Sequence, residues 1–221
     1  MENNTKASFE HPGILAIRHT SDFEVDANPD RDPWRNIPWI TLNPWENVVR
    51  PYQTMARMLY SDTGIYVQFY CEDETITATH TADQADLYDE DVVEVFFWTD
   101  EKHPLYFEYE LSPLNHELVL MVPNFNGRFL GWSPWHYHGD RQTRHATRII
   151  RNADRVEGWY AEFYIPFTLL APLNNVPPVK GTTWRANFYR IDYDHGAGYW
   201  SWQRTRVNFH DYERFGTIRF D

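Results

Sequence analysis

Apolar and polar side chains alternate along most of this chain, and that two-residue rhythm constrains its fold more than any other feature. In IYVQFYC, Ile65, Val67, Phe69 and Cys71 point one way, while Tyr66, Gln68, Tyr70 and Glu72 point the other. VVEVFFW sets Val93, Val95 and Phe97 against Val92, Glu94, Phe96 and Trp98. LYFEYEL sets Leu105, Phe107, Tyr109 and Leu111 against Tyr106, Glu108 and Glu110. WYAEFYI repeats the scheme, with Trp159, Ala161, Phe163 and Ile165 on one side. Successive Cβ atoms of an extended backbone lie on opposite faces, so each run predicts a strand with one core face. Turn residues separate the runs: SDTG at 61–64, SPLN at 112–115, NADRVEG at 152–158, VPPVKG at 176–181 and DHGAG at 194–198. Many strands joined by short turns with one wet face predict an antiparallel sandwich or barrel rather than a βαβ fold, and the expected class is an all-β antiparallel sandwich, immunoglobulin-like or jelly-roll-like.

A chain of 221 residues suits one such domain and buries a core without help from disulfides or metals. The expectation is a single domain over 1–221, with 1–53 as an irregular N-terminal lap and the first strands. Within it, the Pro- and Trp-rich stretch 29–53 would lie across the sandwich. Residues 123–144 read as a long loop, and TLLAPL at 168–173 as a short helical turn. The lone Cys71 excludes an internal disulfide and sits where a buried free thiol belongs.

Net charge is −12, which argues against nucleic acid, whose phosphates call for a basic footprint, and against an anionic membrane surface. No run approaches a membrane span. The opening MENNTKASFEHPG has no apolar stretch of the export type, so the sequence alone predicts a cytoplasmic protein. Aromatic residues make up 17% of the chain, with 10 Trp and 14 Tyr. Flat apolar faces with polar tips suit stacking on sugar rings, but aromatics also favour strands, and composition leaves both readings open.

No P-loop, dinucleotide glycine pattern, GxSxG elbow or HExxH is present. Glu108 and Glu110 share a strand face, about 6.5–7 Å apart, near the spacing of a glycosidase's two carboxyls. On a wet face they are equally two solvated groups. His136 and His138 in WHYHG have a metal-ligand spacing, or serve loop packing among Trp132, Trp135 and Tyr137. Three acidic loops, DANPDRD at 26–32, DQADLYDED at 83–91 and DYDHG at 192–196, offer hard oxygen ligands for calcium, although none has EF-hand spacing.

Three segments in order, IYVQFYCEDETI with DEDVVEVFFWTD, KGTTWRANFYRID, and WSWQRTRVNFHDYERFGTIRF, resemble the family-9 carbohydrate-binding modules. The resemblance covers most of 54–221. It implies a β-sandwich that clamps a mono- or oligosaccharide between two aromatic rings without catalysis, and it admits an extracellular setting. By the family's pattern the clamp falls on Tyr88 and Phe209, both tryptophan in the family. Its strand glutamate falls on Glu94, and further polar contacts fall near Tyr189 and Glu108. Structural Ca²⁺ is also implied. A structural domain that has lost its sugar site, or a glycan-active enzyme, are the alternatives.

Overall fold

The computed structural model describes residues 13–46 and 48–221. The strands run in chain order as β1 (Ile14–His19), β2 (Ile40–Pro44), β3 (Thr54–Tyr60), β4 (Gly64–Glu72), β5 (Val92–Trp98), β6 (Leu105–Leu111) and β7 (Glu117–Phe125). They continue as β8 (Arg128–Phe129), β9 (Ser133–Pro134), β10 (Arg144–Asn152), β11 (Arg155–Pro166), β12 (Thr183–Asp192), β13 (Gly198–Ser201) and β14 (Gly216–Phe220). One layer has the order β10-β11-β4-β3 and the other β14-β12-β5-β6-β7, both antiparallel throughout. The protein is the all-β sandwich its alternation predicts. Strand β1 departs from the antiparallel rule: it runs parallel to β14 over Ile14–Ile17 and parallel to β3 over Arg18–His19, joining the layers. At another corner β2 pairs with β3 and β13, and β13 with β12.

The inward residues of both layers form one core. Phe69 meets Phe188 at 6.1 Å between ring centroids, and Tyr109 meets Phe163 at 4.4 Å. Each such ring removed from water contributes about 1.5–3 kcal/mol. Cys71 is buried there as a free thiol, and burial pushes its pKa up to about 12. Among the described residues no helix is long and apolar enough to cross a membrane.

The expected wet face needs correction, because both outer faces carry a covering of chain. Over β4 and β11 lies the N-terminal segment, in which Trp34 is fully buried and Phe23 stacks on Tyr66 at 4.0 Å. Beneath it Gln68 and Glu162 are also fully buried. Over β5, β6 and β12 lie the 3-10 turn Leu87–Asp89 and the segment between β13 and β14. Glu108 and Glu110 are therefore 4% and 0% exposed, not solvated. The 123–144 region is more ordered than a plain loop: β7 runs on to Phe125, and both β8 and β9 pair back onto it. Residues 166–173 are consecutive turns that bury Leu169 and Leu170.

Candidate functional site

A cavity of about 440 Å³ opens over the outer face of β5, β6 and β12. Its floor follows from the strand period. Glu94 projects outward from β5 between Val92 and Phe96, and β6 sets Glu110 opposite Glu94 and Glu108 opposite Phe96. Glu94 and Glu108 line the cavity, and Glu110 lies buried at their side. No donor from the rest of the protein reaches Oε2 of Glu108 or either carboxyl oxygen of Glu110, and the two acids lie close enough to share a proton. Burial, ahead of the neighbouring charges, pushes Glu94 and Glu110 well above the ordinary carboxylate range and Glu108 up to about 8.

The walls come from distant parts of the chain. The turn Leu87–Asp89 plugs Leu87 into the outer cluster and so presents Tyr88, whose ring lies 6.2 Å from Trp132. Burial and then Asp86 raise the Tyr88 phenol to about 12. Across the cavity stand Trp45, Tyr193, Tyr199 and Phe209. Trp45 donates from Nε1 to Ser201 Oγ at 2.9 Å, and the Tyr193 hydroxyl donates to Tyr88 O at 3.1 Å. His210 is stacked between Phe129 at 4.0 Å and Phe96 at 5.5 Å, with Nδ1 2.6 Å from the Tyr106 hydroxyl. Its burial lowers its pKa to about 4, so the ring is neutral at physiological pH.

Of the sequence-predicted site residues, Tyr88, Glu94, Glu108 and Phe209 meet in this cavity. Tyr189 does not line it. Fully buried, it stacks on Phe209 at 4.0 Å with an interplanar angle of 12°, and its hydroxyl donates to Phe209 O at 2.8 Å. Tyr189 thus positions Phe209 from behind and makes one of that ring's faces unavailable. Phe209 itself is only 8% exposed, with Trp45 and Tyr199 edge-on against it at 5.4 and 5.6 Å. Sequence reasoning missed Trp45, Tyr193, Tyr199, Asn208 and His210. No periodicity links them to the floor; only chain reversal brings them there.

A second cluster lies beside the first. Asp73, Asp91 and Asp194 each bring a carboxylate oxygen within 4.8 Å of the others. Beside it Arg190, fully buried, donates to Asp73 Oδ2 at 2.9 Å, to Asp192, and to Glu72 O at 2.7 Å. Two carboxylates thus pair with one guanidinium, which also feels the charge of Asp91. Burial raises Asp73 to about 8 and Asp91 to about 7, and Oδ1 of Asp194 is buried without a partner. An excess of hard oxygen ligands with one oxygen left over fits a calcium ion. The cluster touches the cavity wall: the Tyr193 N–H donates to Asp91 Oδ1 at 2.9 Å.

The other acidic residues are engaged elsewhere. In 26–32, Asp26 pairs with Arg31. In 83–91, Asp83 accepts from the Glu117 N–H at 3.2 Å, and Glu90 accepts from the His80 N–H at 3.1 Å. His136 and His138 are exposed and outside this cluster. Trp135 and Tyr137 pack the loop, Trp135 donating to Leu169 O at 3.0 Å.

A profile of carbohydrate-binding family 9 matches residues 33–220. The chain belongs to that family. Carbohydrate-binding family 9 comprises non-catalytic binding modules, so the function class anticipated from the sequence holds. Solved structures agree on the fold. A putative carbohydrate-binding protein from Bacteroides uniformis is 15% identical, with a TM-score of 0.77 over 96% of this chain and 100% of its own. A family-9 module from Caldicellulosiruptor kristjanssonii in complex with cellotriose is 14% identical, with a TM-score of 0.68 over 95% of this chain and 94% of its own. The family-9 module from the same organism in complex with glucose is 15% identical, with a TM-score of 0.70 over 95% of this chain and 96% of its own. A comparison with curated protein sequences finds no match.

Proposed function

We propose that the cavity over β5, β6 and β12 holds one ring of a mono- or oligosaccharide. The observation that carries this is convergence: aromatic side chains from 45, 88, 132, 193, 199 and 209 surround two buried carboxyls in one cavity. Stacking a sugar's C–H face on such rings removes apolar area from water, at about 25 cal/mol per Å². Tyr88 with Trp132 forms one wall of the clamp. Phe209, its rear face on Tyr189, forms the other with Trp45 and Tyr199. Glu94 and Glu108 accept hydrogen bonds from sugar hydroxyls, which would otherwise be desolvated at a cost.

The site binds without cleaving. Glycosidase chemistry needs one carboxyl kept protonated and a partner kept ionised. The buried glutamates of the floor are not split in that way: burial drives Glu94, Glu108 and Glu110 in the same direction, upward.

Asp73, Asp91 and Asp194 hold a structural calcium ion in this reading. Its role is to fasten the start of β5 to the segment that carries Tyr193 and Tyr199.

Titration calorimetry with glucose and cellotriose tests the proposal. Tyr88→Ala is expected to weaken binding about tenfold or more, since one stacking wall supplies about 1–3 kcal/mol. Wild-type affinity in that variant would move the site elsewhere, and a wild type that binds no sugar would overturn the reading. Phe209→Ala is a poorer probe, because the buried ring also stabilises the outer cluster.

A further inference from the structure

The polar lining of this cavity carries an excess of acid with no cationic side chain to match it. Each hydroxyl of a neutral sugar brings one donor and two acceptor positions, so a matched site mixes both kinds of partner. Neutral donors are present in Tyr199 and Asn208, but Asp89, Glu94 and Glu108 line the same cavity, with Glu110 buried alongside, and no lysine or arginine lines it. The arginines on the adjoining segment are engaged: Arg204 stacks on Trp45 and pairs with Glu46, and Arg206 pairs with Asp211 and Glu213. His210 is buried with its Nδ1 against Tyr106.

Elsewhere the protein compensates its buried acids. Asp73 and Asp192 have Arg190, and Glu162 receives Trp34 Nε1 at 2.9 Å and Gln68 Nε2 at 3.3 Å. Glu108 has no hydrogen-bond donor on its Oε2, and the Nδ1 of the neutral His210 stands 3.8 Å away, although Glu108 is 96% removed from solvent and faces a cavity large enough for a sugar ring.

We infer that this cavity is built for an amino sugar, whose protonated amine supplies the cation that the carboxyls of Glu94 and Glu108 lack. This inference rests on the sugar-binding reading of the same cavity. An ammonium group is donor-only, with three N–H bonds, and complements acceptor-only carboxylates. Tryptophan and tyrosine faces around it attract a cation further. A bare metal ion fits less well. Among the described residues, Glu94, Glu108 and Glu110 do not gather their oxygens within the 4.8 Å that unites Asp73, Asp91 and Asp194. An organic cation is wide enough to reach acceptors set farther apart. When the amine docks, the carboxyl facing it gives its proton to solvent, and the charge pair replaces a neutral acid.

Three trisaccharides with the same β-1,4 backbone separate the possibilities: cellotriose, its 2-amino counterpart from chitosan, and the N-acetylated trimer from chitin. Calorimetry at about pH 6.5 keeps an amine of this class protonated. The 2-amino trimer is expected to bind about tenfold or more tightly than the other two. Its lead should shrink in high salt, and its binding heat should vary with the buffer's ionisation enthalpy as a proton is released. Glu108→Gln should reduce the ratio of amino to neutral affinity. Cellotriose binding as tightly as the 2-amino trimer, or more so, overturns the inference and leaves the sugar site standing. Binding of none of the three overturns both.

Discussion

Two buried glutamates on opposite faces of the sandwich have opposite surroundings. Glu162 on β11 is fully buried, and its oxygens accept from Trp34 Nε1, Gln68 Nε2 and the Asp26 N–H. Glu110 on β6 is equally buried, and its oxygens receive no donor apart from the neighbouring acid Glu108. The first face is closed by the N-terminal segment, which brings its own donors. The second is roofed by aromatic rings that leave a cavity and bring few donors. A buried polar group that is satisfied internally holds a fold together. One left unsatisfied beside an open cavity marks where a ligand's groups belong.

The closed face should be the more sensitive to damage. Trp34→Ala removes a fully buried ring and the donor to Glu162, and is expected to cost about 3–5 kcal/mol in urea unfolding. A loss under about 1 kcal/mol would mean that the N-terminal segment is an ornament of the fold rather than part of it.

Paired substitutions probe the comparison more directly. Glu162→Leu strands the Trp34 indole N–H and should destabilise by about 1–3 kcal/mol. Glu110→Leu removes an acid whose carboxyl meets only another acid, and should be neutral or stabilising, by up to about 3 kcal/mol. Equal losses from both would erase the distinction between the two faces.

Calcium offers an effect of similar size. At about 100 times its dissociation constant, a calcium ion on Asp73, Asp91 and Asp194 would add about 2.7 kcal/mol. Chelator should then lower the melting temperature of the wild type and leave that of Asp194→Asn little changed. Equal melting with and without chelator would remove calcium from the account.

Taken per pH unit and per acid, the smallest effect is that of pH. An unfolded chain ionises glutamate near its ordinary value of about 4.3. Folded Glu108 keeps its proton up to about 8, and burial raises Glu94 and Glu110 well above the ordinary value too. Stability contributed by these protonated acids is complete below the ordinary value and is lost as pH rises toward 8. His210, lowered to about 4, acts oppositely, but only as pH falls below about 6.5. From about pH 6.5 to 8 the calcium-free protein should therefore lose up to about 1.4 kcal/mol per pH unit for each such acid. Glu108→Gln should flatten the slope seen in melting curves, and an unchanged slope would place the ionisation elsewhere.

Much of this molecule is legible in its amino-acid sequence. Which way Val93, Val95 and Phe97 face, and that Glu94 lies opposite them beside Phe96 and Trp98, follows from backbone geometry over a few residues. The family resemblance points to Tyr88, Glu94, Glu108 and Phe209, and all four line one cavity. Tyr189 stands one layer too deep, because a motif gives position along a strand but not what lies over it. Trp45 is legible only as part of an irregular segment, and Asp73 gives no signal apart from the acidic loops.

The sequence by itself determined strands, their inward faces and the family, because alternation and motif order are properties of neighbouring residues. Tertiary structure decided which outward faces are covered, which acids find partners, and where a cavity remains. Those outcomes depend on contacts between residues such as Trp34 and Glu162, 128 positions apart, whose meeting no local pattern encodes.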